Sequence, residues 1–153
     1  IYPAIHMIRA DCTAEYSVEE LATACNVSKY HFCRKFKAVT GNTVMDYVLK
    51  TRIINAKNML LNSNYSISEI SENCGFSSIS YFCRVFKQAM GTTPGQYQTD
   101  YRLKIADILL YRPEWSISQI ARAIGFEDAA YFSRCYKKSR GISPQKSRAI
   151  LSK

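Results

Sequence analysis

The sequence repeats one pattern three times, with a period of 50 residues over most of its length. The stretches SISEISENCGFSSISYFCRVFK (66–87) and SISQIARAIGFEDAAYFSRCYKK (116–138) share serines, isoleucines, a Gly-Phe pair, a Tyr-Phe pair, an arginine and a lysine. An earlier copy, SVEELATACNVSKYHFCRKFKAVTG (17–41), lacks one residue between Val27 and Phe32 and then follows the same period. Such self-similarity indicates that one short supersecondary unit is built several times.

Each copy carries the start and stop signals of two short helices. The first helix begins at a capping box, a serine with Glu or Gln three residues later; the serines are Ser17, Ser66 and Ser116. It ends at residue types that tolerate left-handed backbone; these are Asn26, Gly75 and Gly125. The predicted caps of the second helix are Ser28, Ser77 and the pair Glu127 and Asp128. Two helices joined by such a turn form a helix-turn-helix.

The second helix of each copy is predicted to bury two aromatic residues four positions apart, which lie on one helical face. The pairs are Phe32 and Phe36, Phe82 and Phe86, and Phe132 and Tyr136. The connecting segments are helical as well. Residues 44–61 carry apolar residues at helical spacing, Ile54 among them, and the copy 94–111 begins with a proline, which suits the first helical position. An opening helix is predicted near residues 3–12.

No alternating strand pattern competes with these helices. We therefore predict an all-α chain of about ten helices, in which serial helix-turn-helix modules are joined by long linker helices. The predicted segments are 1–43 for the first module, 44–93 for a linker helix and the second module, and 94–153 for a second linker helix and a third module.

The charge of the chain restricts its partners. The 153 residues are 47% hydrophobic, which is enough for a packed core, and carry a net charge of +9 with a pI near 9.3. Residues 1–49 hold five basic and five acidic side chains, whereas residues 100–153 hold eleven and five. This excess favours a polyanion, either nucleic acid or an acidic membrane surface. A membrane span is not expected, because no apolar run reaches about 18 residues.

Six cysteines are present, without a CxxC pair, and only two histidines accompany them. We therefore expect no metal ion and no cofactor. Four of the cysteines recur at equivalent positions of the repeat, Cys25 with Cys74 and Cys33 with Cys83, which is typical of packing residues. We expect reduced thiols in a cytoplasmic protein.

Two stretches carry a family resemblance, CGFSSISYFCRVFKQAMGTTPGQY (74–97) and YVLKTRIINAKNMLLNSNYSISEI (47–70). With Gly-Phe, Tyr-Phe, Arg, Phe-Lys, Gly and Pro at these spacings, the chain resembles the DNA-binding domain of the AraC family of bacterial transcription regulators. The resemblance implies two helix-turn-helix modules joined by one linker helix, with recognition helices in adjacent major-groove segments of double-stranded DNA. It also implies a sensing or dimerisation domain beyond this chain, which begins with Ile and is expected to be part of a longer protein.

Residues 17–98 fit the family plan, whereas residues 99–146 depart from it. They look like a second linker helix and an additional third module. Either neighbouring pair of modules resembles one family unit, so the number of modules that dock on DNA stays open. The third module also starts its recognition helix with Glu127 and Asp128, which would repel phosphate, followed by Ala129 and Ala130, which offer only methyl groups. Backbone binding with weak base readout is the expectation for this module.

The outward face of each recognition helix is the predicted reader of DNA. The predicted base contacts are Tyr30, Cys33, Arg34, Ile79, Ser80, Arg84, Ala130 and Arg134. The arginines match family positions that meet DNA, and arginine can bind guanine O6 and N7 through two hydrogen bonds. The predicted phosphate contacts are Lys29, Lys37, Lys87 and Lys137, with Lys138 and Arg140 as further candidates.

Each of these assignments has a structural alternative. For the arginines it is a solvated side chain or a salt bridge to a neighbouring helix, and for Tyr30 it is a half-buried packing residue. Tyr81 and Tyr131 adjoin the buried phenylalanine and are interpreted as packing residues.

Taken as a whole, the pattern favours sequence-specific DNA binding in transcription regulation. The alternative is a helical protein-interaction module in which one unit mediates dimerisation or contacts RNA polymerase. An enzyme is not expected, because His6 and His31 lack a partner at a recognisable catalytic spacing and no glycine-rich phosphate loop is present.

Overall fold

The computed structural model describes residues 1–153, which form ten α-helices and two compact units, Ile1–Pro94 and Gly95–Lys153. The first unit contains α1 (Tyr2–Ala10), α2 (Val18–Ala24), α3 (Lys29–Thr40), α4 (Val44–Asn62), α5 (Ile67–Asn73) and α6 (Ile79–Met90). Helix α7 (Pro94–Leu109) starts at the boundary, and α8 (Ile117–Ala123), α9 (Ala129–Arg140) and α10 (Pro144–Leu151) complete the second unit. The predicted all-α fold is confirmed. None of these helices combines the length and the apolar character needed to cross a membrane.

The capping boxes form as the sequence predicts. At α2 the Glu20 N–H donates to Ser17 Oγ at 3.1 Å, and the Ser17 N–H donates back to the Glu20 carboxylate at 2.9 Å. The same reciprocal pair opens α5 and α8. The turn residues Asn26, Gly75 and Gly125 have φ values of 54°, 78° and 95°. These local signals therefore define three helix-turn-helix modules, namely α2–α3, α5–α6 and α8–α9.

The cap of the second recognition helix differs from the prediction by one residue. Ser78, not Ser77, has extended backbone before α6, and its hydroxyl accepts from the Tyr81 N–H at 3.1 Å. A cap residue stands directly before the first helical residue and accepts from the second or third N–H of the helix. Because α6 begins at Ile79, only Ser78 meets that requirement.

The first module is closed by α1 and the start of α4. Its core holds residues that are fully or almost fully buried: Ala4, Ile8, Leu21, Ala22, Phe32, Phe36, Val44 and Val48. The rings of Phe32 and Phe36 lie 5.4 Å apart, and Tyr47 meets Phe36 edge-on at 5.4 Å. The predicted aromatic pair thus anchors α3 to α4.

The second module packs on the later half of α4. The ring centre of Phe82 lies 5.0 Å from that of Phe76 and 5.7 Å from that of Phe86, and all three side chains are buried. Ile54 is 58% exposed, and the buried residues of this half of α4 are Ile53, Ala56 and Leu60. The buried face rotates along α4 because the helix packs first on α1 and α3 and then on α5.

The second unit has a hydrophobic core of its own, built from Leu103, Ala106, Leu110, Ile120, Ala121, Ile124, Phe126, Phe132 and Tyr136. One member of this core carries a polar group. Tyr136 stands where the other modules have phenylalanine, and its hydroxyl lies 2.8 Å from Asp107 Oδ1 and 3.0 Å from Ser147 Oγ. A buried hydroxyl needs such partners, so Asp107 and Ser147 compensate for the extra oxygen.

We predict that Gly75→Ala destabilises the first unit more than Gly91→Ala does. Both positions have left-handed backbone, which costs an L-residue about 1–2 kcal/mol. A Cβ at Gly75 would also lie 2.8 Å from Thr13 Cα and 3.2 Å from Arg52 Cζ, whereas a Cβ at Gly91 would meet nothing within 4 Å. Such overpacking adds about 1–3 kcal/mol. Urea unfolding of the two variants measures the difference, and equal losses would contradict the packing argument.

Candidate nucleic-acid interface

Each recognition helix presents a row of four positions with the spacing i, i+3, i+4 and i+7, which we call the outward stripe. The outward stripes are Tyr30, Cys33, Arg34 and Lys37 on α3, Ser80, Cys83, Arg84 and Lys87 on α6, and Ala130, Ser133, Arg134 and Lys137 on α9. The aromatic pair of each helix is buried and points away from this row. Each module therefore offers one arginine and one lysine at the same places on a rigid surface.

The structure exposes all the predicted contact residues. Tyr30 is 73% exposed, which removes the alternative of a half-buried packing residue, and Ile79 is 45% exposed. Arg34, Arg84 and Arg134 are exposed and are not bonded to a carboxylate. Contact with DNA remains a prediction for each of these side chains, including Cys33, Ser80, Ala130, Lys37, Lys87 and Lys137.

A tyrosine on the same helix supports each arginine. The Arg34 guanidinium lies 5.8 Å from the ring centre of Tyr30, four residues before it. In the other two modules the supporting ring comes three residues earlier, at 5.4 Å for Arg84 on Tyr81 and 5.8 Å for Arg134 on Tyr131. Stacking on a ring restricts the guanidinium before any ligand arrives.

Tyr81 and Tyr131 therefore do more than pack. Each ring contacts a buried phenylalanine, at 5.9 Å for Tyr81 on Phe76 and 5.8 Å for Tyr131 on Phe126, as the packing interpretation expects. The same ring also lies near the stripe arginine. Sequence analysis missed this second role, although a tyrosine three residues before the stripe arginine in both copies was a readable signal.

Two of the predicted phosphate-binding residues, Lys29 and Arg140, already have acidic partners. Lys29 donates to Glu19 on α2, and this bond lowers the pKa of the Glu19 carboxyl and raises the pKa of the Lys29 ammonium. Both groups are exposed, so Lys29 can exchange Glu19 for a phosphate at little cost.

Arg140 is bound more firmly than Lys29. Its guanidinium donates to Asp107 at 2.7 and 3.0 Å and lies over the Tyr136 ring at 6.0 Å. The hydrogen bond to Asp107 raises the pKa of Arg140. The structure thus places Arg140 at the joint between α9 and α7 and leaves Lys137 and Lys138 as the free cations at the end of α9.

The third recognition helix begins differently from the other two. Asp128 caps α9 through a 2.6 Å bond from the Tyr131 N–H, and Glu127 stands exposed beside it. Neutral serines, Ser28 and Ser78, hold the equivalent position in the other modules. The carboxylates suit the positive end of the helix dipole but place negative charge where a phosphate would approach. The second unit is nonetheless the more basic one, with eleven Lys and Arg against five Asp and Glu, compared with ten against seven in the first unit.

The cysteines differ in accessibility, which gives a test of the outward stripe. Burial raises the pKa of Cys74 to about 11, whereas Cys33 is exposed on the stripe of α3. At pH 8 about one Cys74 thiol in a thousand is ionised, and only the thiolate reacts. We predict that iodoacetamide at pH 8 modifies Cys33 and spares Cys74, and that bound DNA protects Cys33. Peptide mass spectrometry reads both sites. Labelling of Cys33 at an unchanged rate in the complex would remove it from the interface.

Comparisons with known proteins agree with this geometry. A family model described as a helix-turn-helix domain matches residues 21–100 and again 83–150, so the two matches overlap from the later part of α6 into the start of α7. The MmsAB operon regulatory protein of Pseudomonas aeruginosa is 34% identical over 74 residues, which is 48% of this chain and 24% of that protein. The transcriptional activator Btr of Bacillus subtilis is 33% identical over 76 residues, which is 50% of this chain and 14% of that protein. The chain thus corresponds to only a small part of these relatives.

Among solved structures, the DNA-binding domain of AdpA, crystallised in complex with a target DNA, superposes with a TM-score of 0.62 at 26% identity. The superposition covers 73% of this chain and 95% of that domain.

No group of three or more metal-binding side chains lies together in the present structure.

Proposed function

We propose a mode of DNA recognition on the premise that the chain belongs to the AraC-type helix-turn-helix family of transcription regulators, whose function is sequence-specific DNA binding. In this proposal α3, α6 and α9 enter successive segments of the major groove. The observation that carries it is the outward stripe, which recurs on three helices with its arginine and lysine at the same two positions. The arginine reads guanine and the lysine binds the neighbouring phosphate.

The first two positions of the outward stripe differ among the three modules, which supports a different base preference for each module. The first two stripe residues are Tyr30 and Cys33 in the first module, Ser and Cys in the second, and Ala and Ser in the third. A hydroxyl can bond to several base edges, whereas a methyl group favours thymine. The constant arginine and lysine supply affinity, and the changing pair supplies different base preferences.

The linker helix sets the expected length of the site. Helix α4 has 19 residues, which span about 28 Å at 1.5 Å per residue. Two recognition helices on one face of DNA are expected about 34 Å apart, or about 10 base pairs. Where straight DNA does not match the protein, bending supplies the difference at a cost of about 1–6 kcal/mol.

The third module is proposed to bind more through phosphates than through bases. Lys137 and Lys138 are exposed at the end of α9, and the stripe begins with Ala130. The carboxylates of Glu127 and Asp128 oppose close approach of the helix start. These features favour a phosphate-bound third segment with weaker sequence preference.

The proposal extends to the protein that contains these residues. We infer a bacterial regulator that works in the cytoplasm, where the DNA lies, and that performs no catalysis. Contacts with RNA polymerase, and pairing into a homodimer through a sensing domain, complete the proposal.

In the alternative function, one module binds a protein partner instead of DNA, and the substitution Ile79→Glu separates the two roles. Loss of partner binding with DNA affinity intact would assign α6 to protein.

Selection of bound duplexes from random DNA, followed by footprinting, tests the proposed function. Enriched sequences should contain at least two conserved segments about 10 base pairs apart. Protection of a third turn would show that α9 docks as well. Binding that depends on salt and not on sequence would overturn the proposal.

A further inference from the structure

A single arginine on the linker helix joins the two modules of the first unit. Arg52 lies on the line of buried positions of α4, four residues after Val48 and four before Ala56. Its Nε donates to the Cys12 carbonyl at 2.7 Å, in the loop that leads into α2. Its Nη1 donates to the Gly75 carbonyl at 2.7 Å, in the turn that leads into α6. One planar group is therefore bonded to the backbone ahead of the first helix-turn-helix and to the turn within the second.

Further contacts hold the guanidinium in this plane. Nη2 lies 3.4 Å from the Ala14 carbonyl, and the Phe76 ring centre lies 6.0 Å from Cζ. The absence of a side chain at Gly75 makes the approach possible, since a Cβ there would lie 3.2 Å from Cζ. All three nitrogens of the Arg52 guanidinium thus donate to protein carbonyls, which sets this arginine apart from the solvent-facing arginines of the outward stripes.

The arrangement has a mechanical consequence. The only covalent link between the first two modules is α4 with its short loops, and a small rotation about a helix axis moves the attached recognition helix along or out of a groove. Arg52 closes a second, noncovalent link between the Cys12–Ala14 loop and the Gly75 turn. A rigid guanidinium fork can bridge two carbonyl groups in fixed directions, which a flexible ammonium cannot do.

We propose that Arg52 is a positioning residue that fixes the angle between α3 and α6 and so sets the half-site spacing that the first unit accepts. This inference rests on the proposed function, because spacing has meaning only for a protein that reads two segments. Loss of the link that Arg52 makes between the Cys12–Ala14 loop and the Gly75 turn should widen the range of accepted half-site spacings. It should also lower the affinity for DNA with the optimal spacing. The affinity of each module for its own segment should remain.

The first arm of the test uses duplexes in which the two selected segments are moved apart by one and two base pairs. Each added base pair rotates one segment by about 35° relative to the other. The wild-type chain should lose affinity about five- to 150-fold on such a shift, in the range of a typical coupling between sites. For Arg52→Ala and Arg52→Lys, the same shift in spacing should lower the affinity less than about threefold. Both variants should bind the optimal duplex more weakly than the wild-type chain does. Retention of the wild-type spacing penalty by Arg52→Lys would overturn the inference.

The second arm needs no DNA, so that it separates this inference from the proposed function. Spin labels are placed at Ala38→Cys on α3 and Ala89→Cys on α6, both exposed, in a chain whose other accessible cysteines are serine. The distance distribution between the labels should be narrow with Arg52 and broader with Lys or Ala. An unchanged narrow distance distribution in Arg52→Lys rejects the positioning role of Arg52 even if the chain binds DNA as proposed. A broadened one supports it even if sequence-specific binding fails.

Arg102 is the matched control. The Arg102 guanidinium lies against Gly125 in the same way that Arg52 lies against Gly75, since a Cβ at Gly125 would lie 3.0 Å from Arg102 Cζ. Cζ also lies 5.9 Å from the ring centre of Phe126. Arg102 belongs to the second unit. Arg102→Ala should therefore leave the label distances and the spacing preference of the first unit unchanged, whereas Arg52→Ala should alter both.

Discussion

Phe132→Ala is expected to destabilise the unit Gly95–Lys153 by about 3–5 kcal/mol, the usual cost of removing a buried phenylalanine. Phe132 is fully buried and its ring lies 5.3 Å from Phe126 and 5.8 Å from Tyr136. A unit of about 60 residues has a total stability of about 3–9 kcal/mol. The substitution should therefore unfold a large part of this unit at 37 °C, because the loss approaches its whole stability.

Trp115 makes the measurement selective. It is the single tryptophan of the chain and packs against the core of the second unit. Urea unfolding followed by its fluorescence should shift to a much lower midpoint in Phe132→Ala. Tyr131→Ala is the matched control, because that neighbouring ring is 51% exposed; it should shift the midpoint little. A small shift for Phe132→Ala would mean that the second unit has no independent core.

The same variant tests the role of the third module. If α9 docks on DNA, the footprint of Phe132→Ala should shorten at one end, while the segments read by α3 and α6 stay protected. An unshortened footprint would assign the third module to another role.

Arg34→Ala and Arg84→Ala are each expected to cost about 1–3 kcal/mol in binding free energy, each at one base position. Each side chain is exposed, faces away from the core and is held by a tyrosine ring. The residues stand in different modules and share no partner, so the double variant should lose about 2–6 kcal/mol. Binding to single-base variants of the selected duplex shows which position each arginine reads.

Lys37→Ala is the matched control on the same outward stripe as Arg34. A phosphate contact should weaken binding about equally on all sequences and reduce the slope of log K against log salt by about one. Specificity at every base should remain. If Arg34→Ala behaved in this way as well, Arg34 would be a phosphate ligand, and the base assignment would be wrong.

Much of the architecture could be predicted because its signals are local. The capping box at Ser17, the glycine at 125 and the proline at 94 each act within one turn of backbone, and each lies where it was expected. The error at Ser77 was also local, since two adjacent serines fit the cap and only the first residue of α6 distinguishes them.

The contacts that span long stretches of chain could not be predicted in this way. Arg52 meets Cys12 across 40 residues, and Arg140 meets Asp107 across 33. One signal was present, because an arginine precedes the turn glycine by 23 residues in two copies, Arg52 before Gly75 and Arg102 before Gly125. Its meaning lies in the folded structure, which places each guanidinium against the turn glycine.

The sequence alone determined the order of the helices, their limits to within a residue or so, and the face of each recognition helix that meets solvent. Capping and a period of 3.6 residues act within a few positions, so they can be read along the chain. Only the tertiary structure decided which basic side chains are free for DNA and which join one part of the protein to another. Hydrogen bonds and ion pairs require partners brought together by folding, and the linear order of residues does not state which partners those are.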